Sequence, residues 1–237
     1  MRIIVALDIL DGKCVRLTKG DYSKVKVYNI DPLEVVKEIE SYGIEYLHLV
    51  DLDGAKNKKT VNYKILENIS GKTRLKIDFG GGIRSREDLQ TAFNCGARQV
   101  TLGSIAVSDP LLFSEWLTEF GQEKIILGAD VRKHKVLTDG WTESSDKEII
   151  AFIAGYRAKG VKYAICTDIE KDGMLRGPST GLYKEILKIP GIKLISSGGI
   201  TSVRDVEEMD RIGCEGTIIG KAIYEGKLTL KDLSRIC

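Results

Sequence analysis

The chain has 237 residues, 43% of them hydrophobic and 30% charged, with a formal net charge of +2. This is the composition of a soluble globular protein with ample apolar material for a core; it excludes disorder, and the near balance of charge gives no bulk attraction to nucleic acid or an anionic membrane. No uncharged apolar stretch reaches the roughly 20 residues of a membrane span. The five cysteines, Cys14, Cys95, Cys166, Cys214 and Cys237, are odd in number and form no CxxC pair. A zinc site or disulfide framework is therefore not expected, and a reducing cytoplasm fits. His48 and His134 are the only histidines, too few for a histidine-based metal site.

Taken in chain order, short Ile-, Val- and Leu-rich runs alternate with longer segments of helical period, as in a parallel sheet built from strand-helix units. The opening run, residues 3–7, is interrupted by Asp8 and followed by no small-residue cleavage site, so it reads as a buried strand. A helix is expected from Pro32 to Tyr42, then strands at 46–50 and 75–79, a helix from Arg86 to Cys95, and a strand at 99–102. A helix from Pro110 to Phe120 leads to a strand at 125–129, and one from Lys147 to Ala158 to a strand at 163–167. The series ends with a helix from Thr180 to Ile189, a strand at 193–197, a helix from Val203 to Ile212 and a strand at 216–220. Asp31-Pro32 and Asp109-Pro110 each place a capping residue before a proline at the first helical position.

An internal repeat sharpens this pattern. A shift of 117 residues pairs Gly81, Gly82, Ile83, Ser85, Asp88, Gly96 and Gly103 with Gly198, Gly199, Ile200, Ser202, Asp205, Gly213 and Gly220, and Asp51 with Asp168. A shift of 122 superposes the strand ending at Asp8 on the strand ending at Asp130. Four strand-helix units per half, with right-handed crossovers, predict a (β/α)₈ TIM barrel with a twofold half-barrel repeat. No linker-like break separates the halves, so residues 1–237 are expected to form a single barrel domain. An open doubly wound sheet uses the same local pattern and is the alternative.

In such a barrel the active site gathers at the carboxyl ends of the strands. Asp8 and Asp130 end the first strand of each half, on opposite sides of one mouth, where two carboxylates can divide acid and base roles. An aspartate in that place can also merely cap a turn; its occurrence at two equivalent positions favours function. The stretch Asp78-Phe79-Gly80 spells the DFG of protein kinases, but no other kinase motif accompanies it. The glycines after the strands suit the cradling of phosphate, since glycine permits positive φ and close approach of an anion. Gly81-Gly82 with Gly103-Ser104 make one expected cradle, and Gly198-Gly199 with Gly220-Lys221 a second, for a ligand with a phosphate at each end. Arg16, Arg84 and Arg176 are candidates for added charge, Arg16 above the others because an Asp11-Gly12 turn brings it back to the mouth. Trp141 either stacks on a planar ring or packs on the rim.

The segments ALDILDGKCVRLTKGD, HLVDLDGA, FGGGIRS, LGSIAV, the pair Gly140-Trp141, TDIEKDGML, SSGGI and IGKAIYEG together resemble the HisA family of histidine-pathway isomerases, the phosphoribosylformimino-5-aminoimidazole carboxamide ribotide isomerases. The resemblance spans nearly the whole chain. It implies a barrel acting without cofactor or metal on a bisphosphorylated ribotide, by an Amadori rearrangement from aminoaldose to aminoketose. By the same resemblance Asp8 is the base, Asp130 the acid, Thr167 a hydrogen-bonding assistant on the opened sugar, and Asp168 an orienting neighbour. Asp51 and Gly173, within matching segments, join the substrate-binding set. A cytoplasmic monomer with no nucleic acid or membrane partner is expected. Leu7 and Met174 depart from the family pattern. Lys133-His134-Lys135 stands where a glycine usually precedes the second strand of a small ribbon, which bears on the conformation of the loop 131–141. Rival readings are an isomerase that also converts phosphoribosylanthranilate, the sister cyclase, and a non-enzymatic phosphosugar-binding barrel. Arg16 and Leu17 stand where the cyclase pattern has valine and lysine, which ranks that rival below the isomerase.

Overall fold

The computed structural model describes residues 1–18, 21–29, 31–138, 140–141 and 143–236; Cys237 lies outside them. β1 (Arg2–Leu10) is followed by a ribbon of β2 (Lys13–Thr18) and β3 (Asp21–Asn29), and then come β4 (Tyr46–Asp51), β5 (Lys76–Gly80) and β6 (Gln99–Leu102). β7 (Ile125–Arg132) is followed by a second ribbon, β8 (Lys135–Thr138) and β9 (Glu143–Glu148), and then by β10 (Tyr163–Asp168), β11 (Lys193–Ser197) and β12 (Gly216–Ile219). β1, β4, β5, β6, β7, β10, β11 and β12 pair in parallel in that order. β12 then pairs with β1 in register from Arg2↔Gly216 to Val5↔Ile219. That last pairing closes the (β/α)₈ barrel and removes both sheet edges, which an open doubly wound sheet would retain.

The strands read as unbroken apolar runs because both faces are covered. Along β1, Ile3, Val5 and Leu7 pack outward into the layer beneath the helices. Ile4 and Ala6 turn inward to meet Ile126, Tyr163, Ile165, Ile195 and Ile218. With a period of two, the next inward residue is Asp8; by the same count β7 presents Asp130 and β10 presents Thr167 at the mouth. The opposite end is stoppered by Arg2. Its guanidinium lies over the rings of Tyr46 at 5.2 Å and Tyr163 at 4.8 Å. It also donates to Gln99 Oε1 at 2.9 Å and pairs with Glu215 at 3.0 Å.

The first antiparallel ribbon was not legible as strands and the second was expected only through the family resemblance; they occupy equivalent places after β1 and β7. Each is entered through a two-residue turn, Asp11-Gly12 between paired Leu10 and Lys13, and Lys133-His134 between paired Arg132 and Lys135. All four residues have positive φ, 49°, 76°, 48° and 66° in chain order, the left-handed pair that fits the twist of a hairpin. The ribbon therefore forms without the usual glycine. Its second strand takes Lys147 and Glu148, which were expected to open a helix; Glu148 pairs with Lys135 across the ribbon and the helix begins at Ile149. Further helices at Leu52–Asn57 and Tyr63–Lys72 were not anticipated, the first a single short turn and the second of mixed polarity.

The expected caps are present. Asp31 accepts from Leu33 N at 2.9 Å and Asp109 from Leu112 N at 3.0 Å. Two residue pairs of the repeat resolve into the same device: Ser85 with Asp88, and Ser202 with Asp205, each form a capping box at the start of a helix.

Candidate active site

The mouth of the barrel is a cavity lined from both halves, and Asp8, Asp130 and Thr167 all face it. Arg16, brought back by the Asp11-Gly12 turn as expected, does not point at a separate anion pocket. It donates through Nη1 to Asp8 at 3.0 Å and through Nη2 to Asp172 at 2.6 Å, clamping two carboxylates. Its Nε is buried and has no hydrogen-bond partner among the described residues. Burial raises the acid range of Asp8, and Arg16 opposes that rise.

Asp130 has a different neighbourhood. Trp141, in a left-handed conformation at φ 74°, donates its indole N–H to Asp130 at 2.8 Å. The rim tryptophan thus serves as a hydrogen-bond donor to the carboxylate as well as a wall of the cavity. Burial again raises the acid range of Asp130, and hydrogen bonds from Thr167 and Trp141 oppose it only in part. Asp8 is paired with a cation; Asp130 is held by neutral donors.

Gly81, Gly82, Arg84, Gly103 and Ser104 line one side of the cavity, and Gly198, Gly199, Gly220, Lys221 and Gly173 the other. Lys221 is anchored through its ammonium to Gly173 O at 2.8 Å. The paired glycines are also demanded by packing. A Cβ on Gly81 would stand 2.2 Å from Asp51 O, and one on Gly82 2.4 Å from Gly54 O. On Gly198 it would stand 2.9 Å from Asp168 O, and on Gly199 2.3 Å from Gly177 O. These four residues have φ between 80° and 110°, so no larger residue fits even before a ligand is considered. Arg176 is absent from the lining.

Asp51 and Asp168 are not brought to the cavity. Asp51 is fully buried and accepts from Gly54 N at 2.8 Å, Val61 N at 2.7 Å, Asn62 N at 2.9 Å and Asn62 Nδ2 at 2.6 Å. Asp168 accepts from Glu170 N at 2.9 Å and from the Ser179 hydroxyl. Both carboxylates are occupied in shaping the loop after their strand, so neither the substrate-binding place expected for Asp51 nor the orienting place expected for Asp168 puts a carboxylate on the cavity wall.

Sequence reasoning overlooked Asp172, His48, Asp78 and Thr101. His48 Nδ1 lies 2.6 Å from Asp78 Oδ2, and the Thr101 hydroxyl donates to Asp78 at 2.8 Å. His48 and Thr101 line the cavity beneath Asp8 and Asp130. None of the four has a like residue at its repeat partner, Ala55, Ile165, Ile195 or Ile218, so a search for duplicated residues passes over them. The one available signal was polarity within otherwise apolar strands.

A closed barrel with a polar cavity at the carboxyl ends of its strands has the architecture of an enzyme that works on a small molecule. Residues 2–229 match the model of the histidine biosynthesis protein family. Relatives from Flavobacterium johnsoniae and Flavobacterium psychrophilum are 59% and 58% identical, over 98% of this chain and 98% and 97% of theirs. A third, from Parabacteroides distasonis, is 54% identical over 99% of both chains. Each is named an imidazole-4-carboxamide isomerase, of a substrate that carries two phosphoribosyl groups. The chain belongs to the histidine biosynthesis protein family.

Proposed function

We propose that this chain is the aldose-ketose isomerase of histidine biosynthesis, converting an N-glycosidic aminoaldose ribotide into its aminoketose, with Asp8 as base and Asp130 as acid. The observation that carries the division of roles is their unequal pairing. Arg16 at 3.0 Å favours the ionised form of Asp8, whereas Asp130, whose acid range burial raises as it does that of Asp8, has no cation on its carboxylate among the described residues. Asp130 gives its proton to the ring oxygen, and the sugar opens to an iminium. Asp8 removes the C2 proton to leave an enolamine, which takes a proton at C1 as the C2 hydroxyl becomes the ketone. Thr167, beside Asp130 in the register of β7 and β10, hydrogen-bonds the opened sugar.

The two glycine-lined sides of the cavity support a substrate with a phosphate at each end, Gly81-Gly82 and Gly103-Ser104 holding one and Gly198-Gly199 and Gly220-Lys221 the other. No helix among the described residues is long and apolar enough to cross a membrane. The purified protein incubated with the aminoaldose ribotide is expected to yield the ketose, followed directly by chromatography. Absence of product would overturn the reading, and full activity of Asp130→Asn would remove its acid role.

A further inference from the structure

The interior of the barrel holds a polar group that the reaction as derived does not use. At the middle layer, β10, β11 and β12 contribute Ile165, Ile195 and Ile218, all buried in one apolar cluster. The equivalent positions of β4, β5 and β6 hold His48, Asp78 and Thr101, joined in a chain of hydrogen bonds. Buried polar groups cost stability unless satisfied, and here three are satisfied by one another where isoleucine serves the other half. The arrangement also has a direction. Asp78 borders the cavity at the Arg2 end of the barrel, while His48 borders the mouth. With Nδ1 turned to Asp78, Nε2 is the ring nitrogen left to the mouth, and no described residue bonds it.

We propose that His48 is a positioning residue of the isomerase site: fixed from below by Asp78 and Thr101, it carries a proton on the cavity floor, and that charge keeps Asp8 ionised for its work as base. The inference rests on the assignment of Asp8 given above. Burial opposes a charge on the ring, but Asp78, followed by Asp8 and Asp130, outweighs it and raises the proton affinity of His48. The charge in turn lowers the acid range of both mouth aspartates, against burial and Asp172, which raise them. Arg16, Arg84 and Lys221 are the cations that share the cavity lining with it.

Because the chain has two histidines, nitrogen NMR of the imidazole rings resolves His48 directly, assigned by its loss in His48→Gln. His48 is expected to titrate above the ordinary histidine range in the wild type, and Asp78→Asn to lower it. In the pH profile of kcat/KM, His48→Gln is expected to lose about tenfold on the acidic limb, the effect of removing one nearby opposite charge. The profiles should converge at higher pH, where Asp8 is ionised in both. A merely structural role would lower kcat/KM evenly across the profile. A wild-type His48 titrating at or below the ordinary range overturns the proposal even if the variants fail to fold, and so does an unshifted acidic limb. A wild type without turnover overturns the isomerase reading instead, and the NMR titration still decides the charge on His48.

Discussion

In the first half of the barrel the inward positions of the middle layer are His48, Asp78 and Thr101, and 117 residues on they are Ile165, Ile195 and Ile218. The loops around them differ far less. Ser85 and Ser202 cap their helices alike, Asp51 and Asp168 brace the loops after their strands, and both glycine pairs pack against the backbone of those loops. Duplication has kept what holds the barrel in shape, while much of the polar chemistry inside it is single: His48, Asp172, and Arg16, whose partner by the shift of 122 is Thr138. Asp8 and Asp130 are the exception, duplicated in place and distinguished by Arg16 on one side and Trp141 on the other.

The strongest way to break this comparison is to neutralise each mouth carboxylate. Asp8→Asn and Asp130→Asn are each expected to lose about 10² to 10⁴ in kcat, measured by ketose formation, while retaining the substrate in equilibrium binding. An active variant of either would mean that the duplicated pair belongs to the scaffold. Next in size, the brace aspartates should differ: Asp51→Ala, which strands four donors, three backbone and one side-chain, around a fully buried site, is expected to cost about 3 kcal/mol or more in urea unfolding. Asp168→Ala, with fewer bonds lost, should cost less. The glycine turns offer a similar pairing, since Gly81→Ala meets Asp51 O at 2.2 Å and Gly198→Ala meets Asp168 O at 2.9 Å. Both should lower the melting temperature, Gly81→Ala the more.

A smaller effect follows from the proton on Asp130. Burial raises its acid range in the folded protein above the ordinary 3.8, so the native state binds that proton more tightly than the unfolded chain. The stability contributed in this way is complete below pH 3.8 and is lost as pH rises through the raised value. Asp130→Asn should therefore be more stable than the wild type at neutral pH, by about 1 kcal/mol. The advantage should shrink on acidification, and an advantage that grows instead would contradict the raised range. The smallest expected change concerns the hairpin turns. His134→Gly should stabilise by about 0.5 kcal/mol, whereas Gly12→His should destabilise by a similar or larger amount, because both positions are left-handed.

Periodicity was enough to find all eight barrel strands, because burial on both faces makes each a continuous apolar run, and the repeat pointed to closure. Periodicity alone did not show the ribbons, because β3 is largely exposed, with Val27 half in solvent, and because Lys133-His134 lacks the glycine that marks such a turn. Within the site, Asp8, Asp130 and the glycine loops were legible from their places at strand ends. Asp51 and Asp168 were legible in place but not in purpose, since a strand-end carboxylate that braces a loop and one that faces a ligand look the same in sequence. His48 and Asp78 were hidden for a physical reason: which face of a strand looks into a barrel is settled only when its neighbours are in register.

Arg16 joins residues that are far apart along the chain. Its two ion pairs reach Asp8, 8 residues before it, and Asp172, 156 residues after it. The second contact exists only when the loop beyond β10 lies against the ribbon that follows β1. A chain with only its first half assembled can hold the Asp8-Arg16 pair but not the clamp. The clamp is therefore closed by a contact between distant parts of the chain, whose loop-closure entropy must be met before it forms, and partly folded chains are expected to possess a barrel wall before they possess a finished site.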